Sequence, residues 1–192
     1  MPKSCGSGQA LTLTTEQLDS IMREASPKLR AVFQICRCTA CRVSESLSLL
    51  WANVTATDVI FPKSVTKGKL KTRTIPMNGR LADELRAWRA AWTTAQGREP
   101  EKTDFLFPSA TGTATHFTRK SVDRGLRQIC ARLGIEGAST HSFRRSSITS
   151  ASNAGVPVRH IQLLSGHSSL EMVQRYCDVS ESQKRNATNA FA

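Results

Sequence analysis

This sequence is short of aromatic residues, of acids and of long apolar runs, and each shortage narrows what the chain can be. Aromatics make up 6% of its residues, and tyrosine occurs once, at Tyr176. Acids number 15 against 27 lysines and arginines, for a formal net charge of +12. Such a surplus points to nucleic acid, an anionic membrane surface or an acidic partner, because cations displace the counterions condensed on a phosphate backbone. No run approaches the ~20 apolar residues needed to cross a bilayer, and residues 1–8 lack the apolar core of a signal peptide. The expectation is a cytoplasmic protein without a membrane partner, whose six cysteines are reduced thiols. Cys36, Cys38 and Cys41 cluster, but C-x-C-x2-C lacks the paired spacing of structural zinc sites and no histidine is near. They read as thiols packing a helix, with no metal.

Neither an internal repeat nor an interdomain linker is visible, and 192 residues suit one domain with a substantial core. Thr14 and Gln17 form a capping box that opens a helix to about Ala25. Ser26-Pro27 starts a second, with proline at its first helical position. A third is expected after Cys41, carrying Leu47, Leu49 and Leu50, with Trp51 near its end. From Val54 to Met77 the pattern changes to the alternation of strands. Asp58 to Phe61 and Arg73 to Ile75 read as antiparallel partners, with Lys67-Gly68-Lys69 at the hairpin. Asn78 caps a helix in which Leu81, Leu85, Trp88 and Trp92 recur on one face. Phe105 to Pro108 is a short extended piece followed by a turn. A basic amphipathic helix spans about Thr118 to Leu133. Further helices run from about Ser142 to Asn153, Pro157 to Leu164, Ser169 to Tyr176 and Ser180 to Asn189, with stops at Gly155 and Gly166. The expected class is mainly α with a small antiparallel β-sheet (α+β).

A lone phenol in a basic chain invites one question: whether it attacks a phosphodiester. Metal-free phosphodiester transfer needs cations on the two non-bridging oxygens, an in-line nucleophile and an acid at the departing oxygen. Arginine suits the first task, because its planar fork can hold two oxygens and keeps its charge. His141 and Arg144 lie one helical turn apart, so both can face one phosphate. His116 and Arg119 have the same spacing, so the spacing alone decides nothing. What separates the two is the sequence that follows Arg144: Arg145, a helix, then Ser165-Gly166-His167-Ser168-Ser169-Leu170, and Tyr176 nine residues after His167.

That succession resembles the C-terminal signature of the tyrosine recombinases, the phage-integrase and Xer-like family. Its pattern is H-x-x-R, then G-H-S-S/D about two dozen residues later, then the tyrosine. The family's earlier box, usually T-G-x-R-x-S-E, stands here as Thr39-Ala40-Cys41-Arg42-Val43-Ser44-Glu45, with Ala40 in place of glycine. Ser165 replaces the usual leucine before Gly-His, and the helix from Ser146 to Asn153 is more polar than its family counterpart. The resemblance runs from about Leu11 to Val179 and implies the tyrosine recombinase catalytic-domain fold. It also implies the roles. Tyr176 would form a 3′-phosphotyrosine, while Arg42 and Arg144 would clamp the phosphate. Lys67 would protonate the leaving 5′-oxygen, with Lys69 as the alternative. His141 would assist proton transfer at the tyrosine, and His167 would hydrogen-bond a non-bridging oxygen. Glu45 would orient Arg42 or cap local structure. Lys69, Lys71 and Arg73 on the hairpin, Arg119, Lys120 and Arg124 on the basic helix, and Arg145 would contact DNA.

The implied activity is site-specific recombination of double-stranded DNA without metal, cofactor or ATP, by a homo-tetramer on DNA that is a monomer when free. Residues 1–10 read as a disordered lead-in, 11–179 as the catalytic domain, and 180–192 as a tail exchanged between protomers. Family members carry a helical core-binding domain ahead of this one, whereas about ten residues precede it here. The expectation is an excised catalytic domain or a natural short form. Two rivals remain open: a type IB topoisomerase-like enzyme, and a DNA-binding module of this fold without recombination activity.

Overall fold

Helix α2 (Pro27–Thr39) is the element around which the others gather. Its Val32, Phe33, Ile35 and Cys36 are buried, and it packs on α1 (Thr15–Glu24), α3 (Val43–Leu47), α4 (Gly79–Gln96) and α6 (Thr140–Asn153). The computed structural model describes residues 10–66, 71–176, 181–189 and 191. Residues 1–9 of the expected 1–10 lead-in, residues 67–70, which include the expected hairpin residues Lys67, Gly68 and Lys69, and residues 177–180 lie outside the described residues.

Local chemistry accounts for the helix starts. The Thr14 hydroxyl accepts from the Gln17 N–H, and the Gln17 side chain accepts from the Thr14 N–H, which together close the capping box of α1. Pro27 sits in the first turn of α2, where a missing N–H costs nothing. Asn78 caps α4, whose Leu81, Leu85, Trp88 and Trp92 form its buried face. Thr118 caps the basic helix α5 (Arg119–Leu133), which buries Val122, Leu126 and Ile129.

Strands β1 (Asp58–Phe61) and β2 (Arg73–Pro76) pair antiparallel, with Val59 opposite Ile75 and Phe61 opposite Arg73. A second pair, β3 (Pro108–Ser109) and β4 (Gly112–His116), stands where a single extended piece was expected. The third helix is shorter than expected. It ends at Leu47 because Leu49 and Leu50 are taken by extended pairing: the Leu49 carbonyl accepts from the Leu106 N–H, and Leu50 bridges Phe105. Trp51 therefore opens a 3-10 turn (Trp51–Asn53) instead of closing a helix.

The main core joins these elements. Phe33 of α2 stacks on Phe143 of α6 at 4.6 Å, and Trp88 donates to the Leu106 carbonyl. Cys36 and Cys41 are buried free thiols with sulfurs 3.9 Å apart, while Cys38 is half-buried. A second, smaller cluster holds Ala40, Ile148, Ile161 and Val173, with Tyr176 packed against it. It is built from α6, α7 (Val158–Ser165) and α8 (Leu170–Gln174), and it ties the C-terminal third to the end of α2. Helix α9 (Glu181–Asn189) follows. No helix among the described residues is long and apolar enough to cross a membrane.

Candidate active site

The site is assembled where three helix boundaries meet. Helix α2 ends at Ala40, whose backbone is left-handed at φ +50°, the only positive φ outside glycine among the described residues. This bend turns the chain so that Arg42 stands at the start of α3. Three residues on, Glu45 reaches back: one carboxylate oxygen accepts from Arg42 Nη1 at 2.9 Å and the other from the Arg42 backbone N–H at 3.1 Å. The first turn of α6 supplies His141 and Arg144. Arg42, Arg119, His141 and Arg144 line one cavity of about 60 Å³, together with Thr140 and Ser44.

Arg144 is 4% exposed, and no carboxylate among the described residues pairs with it. Its Nη1 donates to the Ala40 carbonyl and, at 2.8 Å, to the Ser165 carbonyl. Burial, then the repulsion of Arg42, push its pKa down to about 10, so it stays charged at neutral pH. Glu45 offsets only part of this, and a buried cation without a direct ion pair is expensive. It makes sense where an anion is to arrive.

His167 follows Gly166, the left-handed residue that ends α7. Its Nε2 lies 2.8 Å from Arg144 Nη2, and its Nδ1 lies 2.7 Å from the Ser165 hydroxyl. Burial first, then the charges of Arg144, Arg42 and Arg73, hold its pKa down at about 3. His141 is also shifted down, by burial and by Arg119, Arg144 and Arg42. Both imidazoles are therefore neutral at pH 7. His167 Nε2 thus accepts from Arg144.

Tyr176 closes the group. Its ring centroid is 5.5 Å from that of His167, and the Arg145 guanidinium lies 5.6 Å from it. Its carbonyl accepts from the Thr149 hydroxyl on α6. The structure thus brings Arg42, His141, Arg144, His167 and Tyr176 together; Lys67 and Lys69 lie outside the described residues.

The expected DNA contacts separate into two groups. Lys71, Arg119, Lys120 and Arg124 are exposed, with Arg119 3.5 Å from Asp123. Arg145 is half-buried and donates to the Thr12 hydroxyl at 2.7 Å. Arg73 turns inward. Its side chain is 10% exposed and pairs with Glu45 at 3.1 Å, while its guanidinium lies over the Phe61 ring at 4.7 Å. The physical reason is strand alternation: Arg73 shares a face of β2 with the buried Ile75. That period of two was the available sequence signal for its direction.

These elements make the fold of a tyrosine recombinase catalytic domain, as the solved structures they match show. The chain belongs to the phage integrase family, whose model matches residues 12–183. It is 31% identical over 176 residues to tyrosine recombinase XerD of Rhizobium meliloti (strain 1021), covering 91% of this chain and 54% of that protein. The Tn1549 transposon integrase, in complex with transposon right-end DNA, superposes with a TM-score of 0.78 at 17% identity, over 98% of this chain and 68% of that one. The catalytic domain of bacteriophage HP1 integrase superposes with a TM-score of 0.65 at 20% identity, over 94% and 95%. The chain spans about half the length of the curated relatives it matches.

Proposed function

We propose that this chain is the strand-transfer unit of a site-specific DNA recombinase, acting in the cytoplasm on double-stranded DNA as a homo-tetramer. The observation that carries the reading is the cavity between Arg42, His141 and Arg144, with His167 and Tyr176 beside it and no acid among the described residues on Arg144. A scissile phosphate entering there would supply the missing negative charge.

The Tyr176 phenolic oxygen attacks phosphorus, the P–O5′ bond breaks, and a 3′-phosphotyrosine forms with release of a 5′-hydroxyl. The phenol's proton leaves toward His141, which is neutral and can accept it. Lys67 or Lys69, both between β1 and β2 in the sequence, returns a proton to the 5′-oxygen. Attack by another 5′-hydroxyl reverses these steps, so the bond energy is conserved and no nucleotide is consumed. Arg42 and Arg144 stabilise the charge on the non-bridging oxygens. Removing one such preorganised donor costs roughly 3–4 kcal/mol of barrier, or about 10²–10³-fold in rate.

The test uses a pool of duplexes randomised over the target region and nicked beside the candidate phosphate, so that cleavage traps covalent protein–DNA. Covalent product with the native chain and none with Tyr176→Phe is the expected result. Duplex binding with no covalent product from any member overturns cleavage and leaves a binding module. Relaxation of supercoiled plasmid without sequence preference overturns site-specificity in favour of a topoisomerase.

A further inference from the structure

The Glu45 carboxylate is 2% exposed and holds two arginines at once: Arg42 on one oxygen, Arg73 on the other. Burial alone would raise its pKa, but the Arg73 charge, the Arg42 backbone N–H and the two guanidinium hydrogen bonds outweigh that and hold it below the usual carboxylate range. Arg73 Nη1 also reaches the Ser165 carbonyl at 3.4 Å, the oxygen that accepts from Arg144 Nη1 at 2.8 Å. One guanidinium on β2 therefore touches the supports of both clamp arginines, which come from α3 and α6.

The site is built closely around it. A Cβ on Gly166 would stand 2.0 Å from Arg73 Nη1, so the turn before His167 admits only glycine while Arg73 is in place. Arg73 Nε is buried with no hydrogen-bond partner among the described residues. Buried ion pairs add little stability over an apolar replacement, and an unpaired buried N–H subtracts from it. Stability is thus a poor reason for an arginine here, whereas fixing the position of a carboxylate is a sufficient one.

Resting on the recombinase reading above, we infer that Arg73 is a positioning residue: it anchors Glu45 and the Ser165 carbonyl so that Arg42 and Arg144 present one fixed clamp to the phosphate. Its charge also competes for Glu45, which leaves Arg42 less neutralised and better able to take an incoming anion. This role differs from a contact to the DNA backbone, which the basic hairpin sequence suggests.

The two roles separate on salt dependence. A residue that neutralises a phosphate contributes about 0.9 to the slope of log affinity against log salt. Arg73→Met and Arg73→Lys are compared with the native chain on a labelled non-specific 30-bp duplex, on inorganic phosphate by thermal shift, and in covalent trapping. The expected result for Arg73→Met is an unchanged salt slope, duplex affinity within about twofold, and trapping reduced at least tenfold. Adding Arg73→Met to Glu45→Gln should cost less trapping than Arg73→Met costs in the native chain, because the two variants share the Glu45 support and only the Ser165 contact is left to lose. Arg73→Lys, which keeps the charge without the fork, should fold and recover only part of the rate. A salt slope lower by about one, or losses that multiply independently in the double variant, overturns the inference. A native chain that binds duplex but never traps it overturns the recombinase reading instead. The Glu45–Arg73 coupling measured on phosphate affinity then decides the positioning role: non-additive losses uphold it, and independent losses overturn it.

Discussion

The imidazole of His167 accepts a hydrogen bond from Arg144, Nε2 to Nη2 at 2.8 Å, and that contact fixes the proton on the other nitrogen. A guanidinium has no acceptor, so Nε2 must accept; Nδ1 then carries the hydrogen and donates it to the Ser165 hydroxyl at 2.7 Å. Protonation would place a second cation against Arg144, and for that reason as well as burial the pKa falls to about 3.

Acid should therefore destabilise the fold before the carboxylates titrate. Unfolded histidine takes up a proton near pH 6.5, while folded His167 refuses it until about 3, so the unfolded state binds more protons between these values. Stability falls as pH falls through that window, by up to about 1.4 kcal/mol per unit for one histidine. His141, also shifted down, adds to the same slope. Urea unfolding at several pH values between 7.5 and ~5 should show this slope, and His167→Gln should make it shallower. An equal slope in the variant would remove His167 as the source.

Ser165 should matter more than a serine ordinarily does. It is fully buried, and its hydroxyl is the partner of the His167 Nδ1–H. Ser165→Ala leaves that N–H unpaired, at a cost of about 1–3 kcal/mol. The Ser165 carbonyl that serves Arg144 and Arg73 belongs to the backbone and is retained. Nitrogen-15 shifts of the imidazole should show the Nδ1–H tautomer in both the native chain and the variant, because Arg144 holds Nε2 as the acceptor in each. Unchanged stability in the variant would mean that the Ser165 hydroxyl contributes nothing at the ring, and an Nε2–H tautomer would mean that Arg144 does not fix it.

Much of this site was legible in the sequence because it is written in short segments. The boxes around Arg42, His141-Arg144 and His167-Tyr176 each lie at a helix boundary that its own residues specify. Left-handed Gly166 is one such signal and the Glu45 backbone cap another. What was illegible depended on distant partners. Leu49 and Leu50 continue a helical pattern, yet they are extended because Leu106 and Phe105 pair with them. Strands β3 and β4 carry no apolar alternation, so nothing local marked them. Arg73 sits among lysines; its alternation with Ile75 marks its direction, but its partner Glu45 is 28 residues away in the chain and nothing local names it.

Gly166→Ala carries two separable penalties. Its φ of +68° disfavours any side chain, and the added methyl would meet Arg73 Nη1 at 2.0 Å. The first costs roughly 1–2 kcal/mol, while the second forces Arg73 off Glu45. Combining Gly166→Ala with Arg73→Met should remove the clash and leave the backbone strain. A double-mutant cycle on unfolding should show favourable coupling of about 1 kcal/mol or more. Strict additivity would mean that the two residues do not meet.

Ala40 tests how much strain the Arg42 turn holds. Its φ of +50° is a glycine conformation, and an L-residue there costs roughly 1–2 kcal/mol. Ala40→Gly relieves this but uncovers apolar surface, since the methyl is buried against Ile148, Ile161 and Val173. Losing the methyl costs about 0.8 kcal/mol, and the freer unfolded glycine chain costs about 0.4–1 kcal/mol more. The terms nearly cancel, so Ala40→Gly should change stability by less than about 1 kcal/mol. Ala40→Val has no such compensation. A β-branched side chain in the left-handed region adds strain to overpacking, and the loss should exceed about 2 kcal/mol. Because the Ala40 carbonyl accepts from Arg144, the same variant should also weaken covalent trapping. Paired denaturation curves decide the matter: a stable valine variant would mean the turn is not left-handed, and a glycine variant gaining more than about 2 kcal/mol would mean the methyl contributes nothing to the cluster.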